Sequence, residues 1–361
     1  RSTLFPYTTL FRSRDVQVVP DMNDLGKKTL VAAYAKTFKG EATDPVIGSA
    51  EFEIVDKMYT CLGAPDNSTE WWGAHSENIK VAPYETFVTS FTNYTSGQNN
   101  WNNFVVVLCR EDNTEYAVVR ADNYGWGDGY DACTTSGPQS DWGAWLAAMD
   151  GAKVTVAVTN NGDGTADVQA VMIGSDGNAY IQEYNGINTI DPDDFWFRFT
   201  VDGCHLEFDD VLGEEDNSTG WWGAHSDYLK VREGYTVSRR FTNYSSLQNN
   251  WNNFVVVLTR EDATEYAVLR ADNYGWGASY EDNPNLTTSG PQSDWAAWLA
   301  AMDEAKVTVS VTNNGGSADV KCYMLGNDGN TYYQDYIGIS PIDPEDLWFH
   351  FTVDGCHLVF E

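Results

Sequence analysis

The chain has 361 residues, with 53 Asp and Glu against 21 Lys and Arg and a formal charge of −32 at pH 7. A phosphate backbone would repel it, so nucleic acid is excluded as an expected partner, and polyanionic glycans are disfavoured for the same reason. Apolar residues make up 42% and aromatics 14%, enough to bury real cores, while no apolar run approaches the roughly 20 residues that span a bilayer as a helix.

Taken from the front, residues 1–13 resemble the translation of a short-read sequencing adapter and are set aside as an artefact. That resemblance implies a gene recovered from assembled reads, of metagenome type. In residues 14–60, Thr29-Leu-Val-Ala-Ala-Tyr34 and Glu51-Phe-Glu-Ile-Val-Asp56 read as strands. They are expected to be the tail of a partial upstream domain; a linker, or a first strand completing the next domain, is the alternative.

From residue 61 onward the chain is a duplication. Trp71, Trp72, Trp101 and Trp126 recur 150 residues later as Trp221, Trp222, Trp251 and Trp276. Trp142, Trp145 and Trp196 recur as Trp295, Trp298 and Trp348. The period is too long for a solenoid repeat and matches a complete domain. The expected division is 61–208 and 209–361.

Within one copy, strand signals dominate. Asn103-Phe-Val-Val-Val-Leu108 suits a central strand covered on both sides. Glu115-Tyr-Ala-Val-Val-Arg-Ala-Asp-Asn-Tyr124 alternates, which places Tyr116, Val118, Arg120, Asp122 and Tyr124 on one face. One helix is expected at Ser140-Asp-Trp-Gly-Ala-Trp-Leu-Ala-Ala-Met149, with Ser140 as N-cap and Trp142, Trp145, Leu146 and Met149 on its core stripe. Lys153 to Thr159 and Asp167 to Met172 flank the turn Asn160-Asn-Gly-Asp-Gly164. After the turn Ser175-Asp-Gly-Asn178 come Ala179 to Tyr184 and the closing strand Phe195 to Val201, which puts Trp196 and Trp348 in the core. The fold class expected is all-β: two tandem antiparallel β-sandwiches of jelly-roll type, each with one short helix.

The aromatic and amide content points to binding rather than chemistry. A sugar ring offers an apolar face to a flat indole, and its rim hydroxyls take hydrogen bonds from amides, carboxylates and guanidinium groups. Trp126 and Trp276, each flanked by glycines, read as stacking platforms or as loop anchors. Trp101 and Trp251, in Gln-Asn-Asn-Trp-Asn-Asn runs, allow the same two readings. Trp71 and Trp72, read as neighbours on a strand, are expected to point to opposite faces.

Arg120, Asp122 and Tyr124, with Arg270, Asp272 and Tyr274, form either a polar bridge across a sheet face or a sugar-binding face. Asn103 and Asn253 are expected to orient hydroxyls or to satisfy loop backbone. His75 and His225 read as structural. The six cysteines share only one equivalent pair, Cys204 and Cys356, so they read as isolated thiols rather than as a disulfide framework. No cofactor is expected. A structural calcium is the one metal reading, with oxygens from Asp66-Asn-Ser-Thr69, Asp216-Asn-Ser-Thr219, Asp202 and Asp354.

The phrases Asn217-Ser-Thr-Gly-Trp-Trp-Gly223, Phe241-Thr-Asn-Tyr244 and Asn249-Asn-Trp-Asn-Asn-Phe254 resemble the tandem β-sandwich carbohydrate-binding modules attached to secreted glycoside hydrolases of gut and rumen Bacteroidetes. The resemblance implies a non-catalytic, extracellular module that binds a neutral plant polysaccharide such as xylan, β-glucan or mannan. It also implies an appended glycoside hydrolase catalytic domain as partner. A sandwich-fold hydrolase or lyase, and a protein-binding adhesion module, are the alternatives. A duplicated binding site gains avidity on a polymer, and a second catalytic site gains nothing comparable.

Overall fold

The computed structural model describes residues 60–122, 134–135, 141–188, 190–208, 210–272, 286–290 and 294–360, together with the backbone of strands between residues 26 and 54. The chain divides into two compact units, Arg1–Tyr59 and Thr60–Glu361. In the first, β1 (Gly26–Tyr34) pairs antiparallel with β4 (Val46–Ile54), and β2 (Thr37–Phe38) pairs with β3 (Glu41–Ala42). The expected strand over residues 29–34 falls within β1, and residues 51–54 of the second fall within β4, while Val55 and Asp56 lie outside the described residues.

The second unit holds both copies. Copy one runs β5 (Thr60–Leu62), β6 (Ile79–Lys80), β7 (Glu85–Thr95), β8 (Phe104–Cys109), β9 (Glu115–Arg120), β10 (Thr134–Thr135), α1 (Trp142–Met149), β11 (Ala152–Asn160), β12 (Ala166–Ile173), β13 (Ala179–Ile187), β14 (Trp196–Val201) and β15 (Cys204–Phe208). Copy two repeats the order as β16 (Asp210–Leu212), β17 (Leu229–Lys230), β18 (Thr236–Ser245), β19 (Phe254–Thr259), β20 (Glu265–Arg270), β21 (Leu286–Thr288), α2 (Trp295–Met302), β22 (Ala305–Asn313), β23 (Ala318–Leu325), β24 (Thr331–Ile339), β25 (Trp348–Val353) and β26 (Cys356–Phe360).

In each copy a large sheet faces a four-stranded one, β6-β14-β8-β9 or β17-β25-β19-β20. The two layers meet through phenylalanines, because alternate residues of β7 and β8 point inward. Phe91 of β7 packs edge-on against Phe104 and Phe199, both at 5.2 Å, and Phe241 repeats this against Phe254 and Phe351. The chain is therefore all-β with paired antiparallel layers.

One pairing differs. The N-terminal half of β7 pairs in parallel with β18, Glu85 opposite Thr236 through Val88 opposite Arg239, so the large sheets of both copies form one fourteen-stranded sheet. Val88 leaves the copy-one core, where Phe87 sits, and packs into the copy-two core with Val237 and Phe241. The guanidinium of Arg239, only 2% exposed, closes this seam. It donates to Asp210 Oδ2 at 2.7 Å and Ser90 Oγ at 2.8 Å, and lies 3.9 Å from the Phe360 ring centre.

Three expectations about packing need correction. The helix begins one residue later than expected, with the Asp141 carboxylate accepting from Ala144 N as N-cap. Trp145, Leu146 and Met149 are buried, but Trp142 at the first helical position is 45% exposed, and Trp295 43%. The stripe runs past the edge of the core there. Next, β9 does not alternate cleanly. A bulge at Leu108/Cys109 sets Cys109 opposite Glu115 and Leu108 opposite Ala117. Tyr116 therefore turns to the copy-one core, against Phe195, while Val118 stays on the outer face. Finally, Trp196 and Trp348 are half-buried on the outer face of the small sheet, with Lys80 and Lys230 over their rings; their neighbours Phe195, Phe197, Leu347 and Phe349 fill the cores.

The five described cysteines are free thiols; Cys109, Cys204, Cys322 and Cys356 are buried and Cys61 is exposed. Burial pushes Cys204 and Cys356 up to about 12, which makes them inert small hydrophobes at neutral pH. Cys133 lies outside the described residues.

Candidate functional site

The site begins where β7 ends. Thr95 Oγ1 donates to Asn102 O at 2.5 Å, and Ser96 N donates to Gly203 O at 2.9 Å, so the turn over 96–103 is clamped to the strand end. Asn102 is its hub. Its Oδ1 accepts from Asn99 N at 2.7 Å and Ser96 Oγ at 3.1 Å, and its Nδ2 donates to Asp202 O at 3.2 Å. This wiring satisfies buried backbone groups and leaves Trp101 standing out at 43% exposure. In copy two Ser245 and Asn252 rebuild the turn, and Trp251 is 44% exposed.

Asp202 connects this turn to a second aromatic. Its carboxylate lies 3.7 Å from Arg120 Nη2, and the Arg120 guanidinium stacks 4.4 Å above the Trp71 ring. Copy two repeats the arrangement, with Arg270 3.4 Å from Asp354 and 4.4 Å above Trp221. Burial pushes the Asp202 and Asp354 carboxyls up from their ordinary range, and Arg120 and Arg270 oppose that shift. Each copy thus gathers an exposed indole, a stacked Arg–Trp pair and a carboxylate at one end of its sandwich.

Trp71 and Trp72 are not strand neighbours. They sit in a turn, with Trp72 at φ +62°, and their rings meet edge-on at 4.8 Å. Both cover the outer-face patch of Val105, Val107 and Cys109. Asn103 and Asp122 lie below the surface, at 0% and 5% exposure. Asn103 Oδ1 accepts from Phe104 N, and the Asp122 carbonyl accepts from Gln182 Nε2 at 2.6 Å. Asn253 and Asp272 repeat both arrangements. The strand ends at Arg120, where Asp122 N bonds back to Arg120 O, so the alternation does not carry Arg120 and Asp122 onto one face. Trp126, Trp276, Tyr124 and Tyr274 lie outside the described residues.

Asp202 and Trp71, with Asp354 and Trp221, are the site residues that the sequence pattern did not bring together. Their signal was present in the repeated phrases that hold them, but nothing local ties residue 71 to residue 202. The calcium reading finds its loop oxygens engaged elsewhere. Asp66 Oδ1 accepts from Ser68 N, Asn67 Oδ1 meets His205 Nδ1 at 2.6 Å, and Thr69 Oγ1 accepts from Ala64 N. Among the described residues no group of three or more His, Cys, Asp and Glu side chains could hold a metal ion.

The copies differ behind the tryptophan patch. Arg198, which donates to Asn113 Oδ1 at 2.9 Å, is replaced by His350, whose Nε2 lies 3.3 Å from His225 Nδ1. Burial, with His225 beside it, lowers His350 to about 4. Its neutral form is therefore the folded one. Stability from this residue is complete above about pH 6.5 and falls as pH drops from there to about 4, where the loss reaches about 3 kcal/mol. Between about pH 6.5 and pH 4 the melting temperature of wild type is expected to fall more steeply than that of His350→Gln. Equal acid sensitivity in the two proteins would remove His350 from the account.

A scan against protein-family models gives no match, and a search of curated proteins gives no significant one. No helix among the described residues is long and apolar enough to cross a membrane.

Proposed function

We propose that Thr60–Glu361 is a pair of jelly-roll carbohydrate-binding modules, non-catalytic and extracellular. In this reading they hold an attached glycoside hydrolase on a neutral plant polysaccharide: xylan, β-glucan or mannan. The observation that carries the reading is the rigid presentation of an exposed indole, Trp101 or Trp251, at the same place in both copies. An indole held at the surface by a hydrogen-bonded turn offers apolar area that a ligand gains by covering. The flat indole suits the apolar face of a sugar ring, and the partly exposed Arg120–Asp202 and Arg270–Asp354 pairs beside it offer donors and acceptors to the rim. The net charge of −32 favours a neutral polymer.

The test is affinity electrophoresis in native gels cast with xylan, mixed-linkage β-glucan, glucomannan or pectin. The chain is expected to be retarded by a neutral glycan, and Trp101→Ala with Trp251→Ala to weaken binding by about thirty-fold, the usual cost of a stacked tryptophan. Free migration of the wild type in every neutral gel, or release of new reducing ends from the glycan, would sink the proposal.

A further inference from the structure

The seam between the copies fixes how their two sites face a ligand. Strands β7 and β18 are equivalent, each keeps its other edge for an equivalent partner (β11 or β22), and the two remaining edges meet in parallel. Like edges that meet in parallel are related by a half-turn about an axis along the strands, here with a one-residue step, since Glu85 stands opposite Thr236, the counterpart of Thr86. The faces agree: Phe87 packs into one core and its neighbour Val88 into the other.

Because β7 and β18 run the same way, both tryptophan turns leave from the same end of the sheet. Each is clamped to its strand end, by Thr95 on Asn102 and by Ser245 on Asn252. The symmetry axis passes out through that end between them. A glycan chain has a reducing and a non-reducing terminus, so it has a direction. A half-turn about an axis normal to the surface reverses that direction.

We propose that the two sites read two antiparallel glycan segments, so that the unit bridges neighbouring chains instead of lying along one. This rests on the carbohydrate reading above and names its ligand further: an assembled polysaccharide with several chains side by side. A single straight chain can satisfy one site only.

The probes are mixed-linkage β-glucan and its oligosaccharides, or whichever neutral glycan retards the chain. Calorimetry is expected to give two sites per chain for an oligosaccharide. One long enough to span both turns should bind wild type and Trp251→Ala with the same per-site affinity. Sites aligned along one chain would instead bind it 10²–10⁴-fold tighter in the wild type, and a gain of that size overturns the proposal. In light scattering the wild type should cross-link the soluble polymer and then release it at excess protein. Trp101→Ala and Trp251→Ala should each bind without cross-linking. Two-site binding of oligosaccharide without cross-linking of polymer also overturns the proposal. Absence of any oligosaccharide binding removes the carbohydrate reading itself, and this one with it.

Discussion

Replacing Asp210 with Asn is expected to destabilise Thr60–Glu361 by about 3 kcal/mol, the range for a buried ion left without its partner. The effect falls on Arg239. Its side chain is 2% exposed, its Nε has no partner, and burial lowers its pKa against the pull of Asp210. Without the Asp210 carboxylate the guanidinium keeps a hydroxyl from Ser90 and the face of Phe360, too little to balance desolvation.

The reverse substitution should be mild. The Asp210 side chain is 43% exposed, so water can take over from a lost arginine. Methionine fills a similar volume against Phe360, and Arg239→Met is expected to cost under about 1 kcal/mol. The double variant should track Arg239→Met. Urea unfolding midpoints decide it, and equal losses in the two single variants would show that the pair acts through contact area rather than charge.

Gly203→Ala is expected to dismantle the copy-one site without touching Trp101. Gly203 has φ +62°, and an added Cβ would come 2.2 Å from Asn102 Nδ2 and 2.6 Å from its Cγ. The left-handed backbone alone costs about 1 kcal/mol for alanine. Expelling Asn102 adds its hydrogen bonds to Asn99, Ser96 and Asp202, for a total of about 3 kcal/mol. Gly151→Ala is the control, because its φ is +77° and nothing lies within 4 Å of the added carbon. The measured quantities are melting temperature and retardation by the neutral glycan, with Trp251→Ala as background so that only copy one binds. Equal melting of the Gly203→Ala and Gly151→Ala variants would show that Asn102 yields freely.

The layered β architecture was legible because its signals are local. Alternation set β11, β12 and β13, Asn-Gly and Asp-Gly turns set their connections, and the duplication set the period. Three features were not legible, each for a physical reason. The bulge in β9 moves Tyr116 across the sheet, and no residue type marks it. Trp142 and Trp145 have the same helical spacing to their neighbours, and only the edge of the core separates an exposed ring from a buried one. The partner of Arg120 is Asp202, eighty-two positions away, while the tempting Asp122 is nearby in sequence and turned beneath the surface. In the amide run the residue pattern leaves Trp101 between platform and loop anchor; the wiring that holds its turn runs through Asn102 to Asp202, a hundred positions away. Expectations on Trp126 and Trp276 stand apart, since those residues lie outside the described structure.

The pairing of β7 with β18 carries a consequence for ancestry. The edges of β7 and β18 that meet are the same edge of one repeat, so a chain with one copy would carry both halves of the contact. Duplication in tandem then turns an encounter between two molecules into one within a single molecule, and the association no longer depends on protein concentration. Once fused, the halves are free to diverge. Arg239 and Arg240 stand where copy one has Thr89 and Ser90, so the hydrogen bond that Arg239 donates to Ser90 across the seam comes from copy two alone.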